Sequence, residues 1–196
     1  MKTAGNENAE TAGILIHGRG ATAESILGLK NRIENQDIYY MAPQAETLEW
    51  YPNSFLKPIE ENQPELDKAL ETVEKCIEDL EEKGFERENI FLLGFSQGAC
   101  LVTEYAARNP EKFKAVIGLS GGLIGPEGKE FGYSGDLEET PVFLGCSEND
   151  PHIPKSRVDE TEDVLQGLNA EVEKRIYEGS FHRIVEDELD WINQHI

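Results

Sequence analysis

The sequence predicts an α/β sandwich with a mostly parallel central sheet and helices on both of its faces. Short apolar runs bounded by Gly, Pro, Asn or Asp recur along the chain, as expected of strands buried on both sides. Longer stretches with helical spacing separate them. The alternation continues to the C-terminus, which points to stacked layers joined by right-handed crossovers.

The strands are read at ILI (14–16), IYYM (38–41), IFLLGF (90–95), VIGL (116–119), VFLGC (142–146) and VEKRIY (172–177). The clearest helix carries Leu66, Leu70, Val73, Ile77 and Leu80, which advance by alternating steps of four and three along one face. Asn62 is its candidate N-cap, Pro64 lies near the first turn, and Glu65 and Asp67 stand where the helix dipole favours acids. Gly84 follows the last turn. A terminal amphipathic helix from about 184 to 195 brings together Ile184, Leu189, Trp191 and Ile192. There is no internal repeat or linker, and 196 residues suit one domain spanning 1–196. Two stretches, 43–62 and 121–139, read as loops long enough to serve a function.

The formal net charge of -21 opposes binding to a phosphate backbone or an anionic membrane surface. Nucleic acid is therefore excluded as a partner, and membrane insertion is not expected: no stretch approaches the roughly 18 apolar residues of a span. The first residues, MKTAGNENAETAG, contain no apolar signal-peptide core. Cys76, Cys100 and Cys146 form no CxxC, are odd in number and show no zinc spacing, so neither a disulfide scaffold nor a metal site is indicated. A cytoplasmic location fits best.

The chemistry begins with an ambiguity. Gly18, Gly20 and Ala23 in LIHGRGATAE spell GxGxxA after a predicted strand, which suits either a pyrophosphate-binding turn or an oxyanion-holding loop. A dinucleotide fold needs an acid at the end of its second strand. Asp37 has nearly the right spacing but precedes the run IYYM, so it sits at the wrong end.

The strongest local signal is GxSxG in NIFLLGFSQGA, with Gly94, Ser96 and Gly98 between a predicted buried strand and a helix. A nucleophile elbow requires that sharp turn, and small flanking residues give it room. A serine nucleophile then needs a base and an acid to orient it, in the chain order nucleophile, acid, base. Asp150 follows VFLGC and His182 follows VEKRIY. His152 competes with His182 as base, and Glu148 competes with Asp150 as acid. His17 is expected to shape the opening turn, and His195 to be a solvated surface group. The oxyanion donors are expected to be the backbone N–H groups of Arg19 and Gln97. Trp50, Tyr51 and Phe55 in the first long loop either wall a substrate pocket or anchor the loop, and Phe131 and Tyr133 in the second carry the same two readings.

With LIHGRGAT, APQA, GFSQGA, ENDPHIP and GSFH in this order, nearly the whole chain resembles the phospholipase and carboxylesterase family of small α/β-hydrolases. That family includes bacterial carboxylesterases and acyl-protein thioesterases. WYPNSFL and EENQPELDKAL are most similar to its bacterial esterase branch. The resemblance implies a three-layer α/β-hydrolase sandwich without a large lid domain, with Ser96, Asp150 and His182 as triad and Arg19 and Gln97 at the oxyanion positions. It implies no metal or organic cofactor, and a homodimer as a family-level expectation. One departure is Phe181, where the family often has Gly before the catalytic His. The expected activity is serine-dependent hydrolysis of small soluble carboxylic esters. The rivals are thioesterase action on acylated proteins and ligand binding on a hydrolase scaffold without turnover.

Overall fold

The computed structural model describes all 196 residues. In chain order the elements are β1 (Lys2–Gly5), β2 (Thr11–Ile16), α1 (Ala23–Leu27), β3 (Ile38–Ala42), α2 (Glu65–Glu82), β4 (Ile90–Phe95), α3 (Gln97–Arg108), β5 (Ala115–Leu119), β6 (Pro141–Ser147), α4 (Lys155–Gly167), β7 (Glu171–Tyr177) and α5 (Glu186–His195). The seven strands form one sheet in the order β1-β3-β2-β4-β5-β6-β7. β1 runs antiparallel to β3 and every other pair is parallel.

All six expected strands are present, each within a few residues of its apolar run. They read as near-continuous apolar segments because both faces of the sheet are covered. Along β4, Ile90 and Leu92 face one core while Phe91 and Leu93 face the other, as the two-residue period of a strand requires. The larger core, of 36 buried residues, takes in α2, α3 and α4; the smaller, of 17, takes in α1 and α5. Gly13 in β2 has no side chain because a Cβ there would lie 2.1 Å from the Phe91 ring.

β1 was not expected from the sequence. Its residues KTAG contain no apolar run, and its side chains are mostly exposed. Its hydrogen bonds to β3, with Thr3 opposite Met41, hold it at the sheet edge, where Lys2 also discourages pairing with another strand.

Helix α2 buries Leu66, Val73, Ile77 and Leu80 as predicted, while Leu70 is half-buried and Ala69 and Cys76 complete the face. Each large aliphatic side chain removed from water contributes about 1.5–3 kcal/mol. The expected cap is corrected: the helix starts after Pro64 without a side-chain cap. Asn62 is fully buried, and its side chain accepts the Asn53 N–H at 2.8 Å and donates to Ser54 O at 3.0 Å. Loop amides far from the helix outcompete its own first turn for this Asn, a rivalry open to any short polar side chain.

The N-terminus of α5 closes the loop after β7. The buried Glu188 carboxylate accepts the Val185 N–H at 2.9 Å. Burial pushes its carboxyl up to about 7, against the lowering effect of that hydrogen bond and with a further upward push from Asp187. A carboxyl raised on folding binds its proton more tightly in the native state, so it is neutral in effect at low pH and becomes a cost that builds as pH rises from the ordinary carboxyl range to about 7. Glu188→Gln is therefore expected to stabilise the protein at pH 8 by up to about 3 kcal/mol and to leave it nearly unchanged at pH 4. Urea unfolding of both proteins at the two pH values checks this; a gain that is the same at both would contradict it. No helix is long and apolar enough to cross a membrane.

Candidate active site

At the C-terminal end of β4 the chain turns sharply into α3, and Ser96 occupies the turn with φ 56° and ψ -119°. This backbone conformation costs a non-glycine residue on the order of 1–3 kcal/mol, and the neighbours that hold it are specific. The Ser96 N–H donates to Leu119 O at 2.9 Å and its carbonyl accepts the Cys100 N–H at 3.0 Å. A Cβ on Gly94 would lie 2.2 Å from Gly98 O, and one on Gly98 would lie 2.2 Å from Ile16 O. The two glycines of GxSxG thus let the turn close on itself and on β2.

Asp150 follows β6 and His182 follows β7, and the structure joins them: His182 Nδ1 lies 2.8 Å from Asp150 Oδ2. The Asp150 side chain is fully buried and that of His182 is 16% exposed. The other Asp150 oxygen accepts the backbone N–H groups of His152 and Ile153 at 2.8 and 3.1 Å. Burial alone would raise this carboxyl, but the hydrogen bond from His182, then those from the His152 and Ile153 backbone, hold it below its ordinary value. An ionised Asp150 accepts a hydrogen bond from Nδ1–H, which in the neutral ring leaves Nε2 without a proton.

The competing assignments separate on geometry. Glu148 is exposed, and the carboxylate paired with His182 is that of Asp150. His152 meets the His182 ring edge-on, with centroids 4.9 Å apart, while Phe95 lies 4.9 Å from the same ring on a tilted plane. Both neighbours restrict the imidazole that Asp150 holds. His17 donates from Nδ1 to Gly18 O at 2.8 Å and accepts the Ala45 N–H at Nε2, so it does shape the opening turn; burial holds its pKa below the ordinary value. His195 is corrected: it is half-buried and stacks on Trp191 at 3.8 Å, because residues four apart on α5 share one face of the helix.

Ser96, His182 and His152 border one open cavity of about 410 Å³, together with Gly18, Arg19 and Gln97. The Arg19 N–H donates to no group of the protein, and Gln97, as the first residue of α3, has no acceptor for its N–H within the helix. Their side chains do something the sequence did not disclose. The Arg19 guanidinium donates to Tyr51 O at 2.7 Å, Asn53 O at 2.8 Å and Pro52 O at 3.1 Å, and pairs with Glu49. The Gln97 amide accepts the Trp50 N–H and donates to Tyr51 O, both at 2.8 Å. The side chains of two residues that border the cavity thus clamp the 49–53 loop beside it.

The aromatic candidates divide. Tyr51 and Phe55 border the cavity. Trp50 does not: its indole donates to His17 O at 2.8 Å and packs on the His17 ring, which makes it a loop anchor. Phe131 and Tyr133 lie elsewhere, beside Val164 and Leu168 of α4 and the turn after it. Tyr133 donates to the buried Glu104 at 2.6 Å, which ties the second long loop to α3. Phe181 does not narrow the cavity. Its backbone is gripped by Ser147, whose hydroxyl accepts the Phe181 N–H at 3.2 Å and donates to Phe181 O at 2.6 Å, and its ring lies beneath the Arg183 guanidinium. This grip fixes the residue before His182 and replaces the freedom of a glycine with a clamp. Cys100 also borders the cavity, but burial pushes its thiol up to about 11, so it stays protonated at neutral pH and is a poor nucleophile.

A mostly parallel seven-stranded sheet, covered on both faces and carrying a serine elbow at the end of a central strand, defines an α/β-hydrolase. The chain belongs to the phospholipase/carboxylesterase family, whose model matches residues 3–196. A solved phospholipase/carboxylesterase from Dyadobacter fermentans is 41% identical, with a TM-score of 0.95 over 98% of this chain and 93% of that one. The Bacillus cereus carboxylesterase, at 16% identity, shares the fold with a TM-score of 0.75 over 98% of this chain and 91% of that one. Acyl-protein thioesterase 1 of Saccharomyces cerevisiae is 30% identical over 148 residues, 74% of this chain and 63% of the yeast protein. The match thus spans less than two thirds of that relative's length.

Proposed function

We propose that this protein is a serine carboxylesterase that hydrolyses small soluble carboxylic esters through an acyl-enzyme. The observation that carries the reading is the 2.8 Å pairing of His182 with the buried Asp150 on the cavity that Ser96 enters from a strained turn. In the proposed cycle His182 Nε2 takes the hydroxyl proton as Ser96 Oγ attacks the ester carbonyl. The tetrahedral oxyanion is met by the N–H groups of Arg19 and Gln97. When the C–O bond to the alcohol breaks, His182 gives its proton to the leaving oxygen and the acyl group stays on Ser96. Water then attacks the acyl-enzyme with His182 again as base, and the proton returns to Ser96 as the acid departs. One ester and one water become one acid and one alcohol, with no metal or organic cofactor required.

The proposed substrates carry short acyl groups. Hydrolysis of p-nitrophenyl esters from acetate through octanoate to palmitate tests this, with activity expected to peak at the short end. A peak at palmitate would instead favour the second reading, thioesterase action on long acyl chains, which the similarity to a yeast acyl-protein thioesterase supports. No turnover at any length would favour ligand binding on the hydrolase scaffold.

A further inference from the structure

Arg19 and Gln97 are joined through a single atom. The main-chain carbonyl oxygen of Tyr51 accepts from the Arg19 guanidinium at 2.7 Å and from the Gln97 carboxamide at 2.8 Å. A carbonyl oxygen has two lone pairs, one for each of these donors. Arg19 belongs to the loop after β2 and Gln97 opens α3, so the bridge crosses from one element to the other beside the cavity that both residues border.

Each end of the bridge is held in several directions. Arg19 Nη2 donates to Asn53 O as well as Tyr51 O, and Nη1 donates to Pro52 O and pairs with Glu49, so the four Nη hydrogens meet four acceptors. This uses the planar fork of a guanidinium, which the point charge of a lysine cannot reproduce. Next in the chain, the Gly20 N–H donates to Leu48 O at 2.7 Å. On the other side of Arg19, the Gly18 carbonyl accepts His17 Nδ1 at 2.8 Å and the Ala21 N–H at 3.1 Å. The Gly18–Arg19 peptide is trans and planar, so holding that carbonyl also sets the direction of the Arg19 N–H. Gln97 is buried, and its other amide atom accepts the Trp50 N–H at 2.8 Å. An oxyanion hole stabilises charge only if its donors are in place before the charge develops. Two donors from separate elements keep their spacing only if those elements are locked together.

Building on the esterase reading above, in which the Arg19 and Gln97 N–H groups meet the oxyanion, we propose that the side chains of the same two residues are positioning groups that act through the Tyr51 carbonyl to fix the spacing of those donors. Every replacement other than proline keeps the main-chain N–H, so the side-chain role is open to a separate test.

The test measures p-nitrophenyl acetate kinetics for the wild type, Arg19→Lys, Gln97→Met and the double variant, with Tm and inhibition by an alkyl trifluoromethyl ketone, which forms a tetrahedral adduct with a serine nucleophile. Acylation and deacylation both pass through an oxyanion, so each single variant is expected to lose about 10- to 100-fold in kcat with KM nearly unchanged. Inhibition by the ketone should weaken by a similar factor. Because both substitutions break the same bridge, the double variant should lose much less than the product of the two single losses. A raised KM with unchanged kcat would overturn the proposal, since the side chains would then only shape the cavity wall. Kinetics that do not change at all, or single losses that multiply in the double variant, would overturn it too. If one single variant melts below the assay temperature, the other decides by its kcat, KM and inhibition. All of these results leave the esterase reading intact, whereas a wild type that does not hydrolyse the ester overturns that reading and this inference with it.

Discussion

Ser96→Ala is expected to lower kcat on p-nitrophenyl acetate by about 10⁴-fold or more, as loss of the nucleophile does in serine hydrolases whose triad acts as a unit. The fold should survive. The residue's N–H and C=O keep their bonds to Leu119 and Cys100, and alanine bears the same positive φ that serine already bears. An unchanged Tm beside lost turnover separates chemistry from folding. Cys100 is near enough to be considered as a substitute nucleophile, but its raised pKa leaves little thiolate at neutral pH. Residual activity in the variant should therefore reflect only binding and the main-chain donors. Retention of more than about a tenth of wild-type turnover is incompatible with the proposed cycle.

Asp150→Asn is expected to cost about 10³–10⁴-fold in kcat with little change in KM, and the reason is the direction of one hydrogen bond. In the native site one carboxylate oxygen accepts from His182 Nδ1 and the other accepts two backbone N–H groups. An asparagine has one oxygen to offer. If that oxygen stays with the His152 and Ile153 amides, the NH₂ group faces Nδ1 and forces the ring proton onto Nε2, where the base must be empty. If the amide flips, two buried backbone donors lose their acceptor and the loop shifts. Either outcome disables the imidazole. A loss below about tenfold would mean that Asp150 holds the loop without setting the tautomer.

Much of this was legible in the sequence because the physics involved is local. Strands buried on both faces must be apolar throughout, so IFLLGF and VFLGC declared themselves. The elbow announced itself through Gly94 and Gly98, whose missing side chains make room for Gly98 O and Ile16 O. Asp37 marked the wrong end of its strand for a nucleotide site, and it does precede β3. What stayed hidden was decided by partners distant in the chain. β1 is polar and owes its place to pairing with β3. Asn62 looked like a cap but serves the loop at Asn53 and Ser54. The side chains of Arg19 and Gln97 reach residues 49–53, some 30 and 47 positions away. Nothing in WYPNSF distinguishes Trp50, an anchor against His17, from Tyr51, which borders the cavity.

Covalent labelling distinguishes Ser96 from every other candidate nucleophile. The wild type would be treated with a p-nitrophenyl alkylphosphonate, digested, and the modified peptide sequenced by mass spectrometry. If Ser96 is the nucleophile, one p-nitrophenol is released per chain, ester turnover is lost in step with it, and the phosphonyl group is found on Ser96. Label on any other residue, or full labelling of Ser96 with ester turnover intact, would contradict that role.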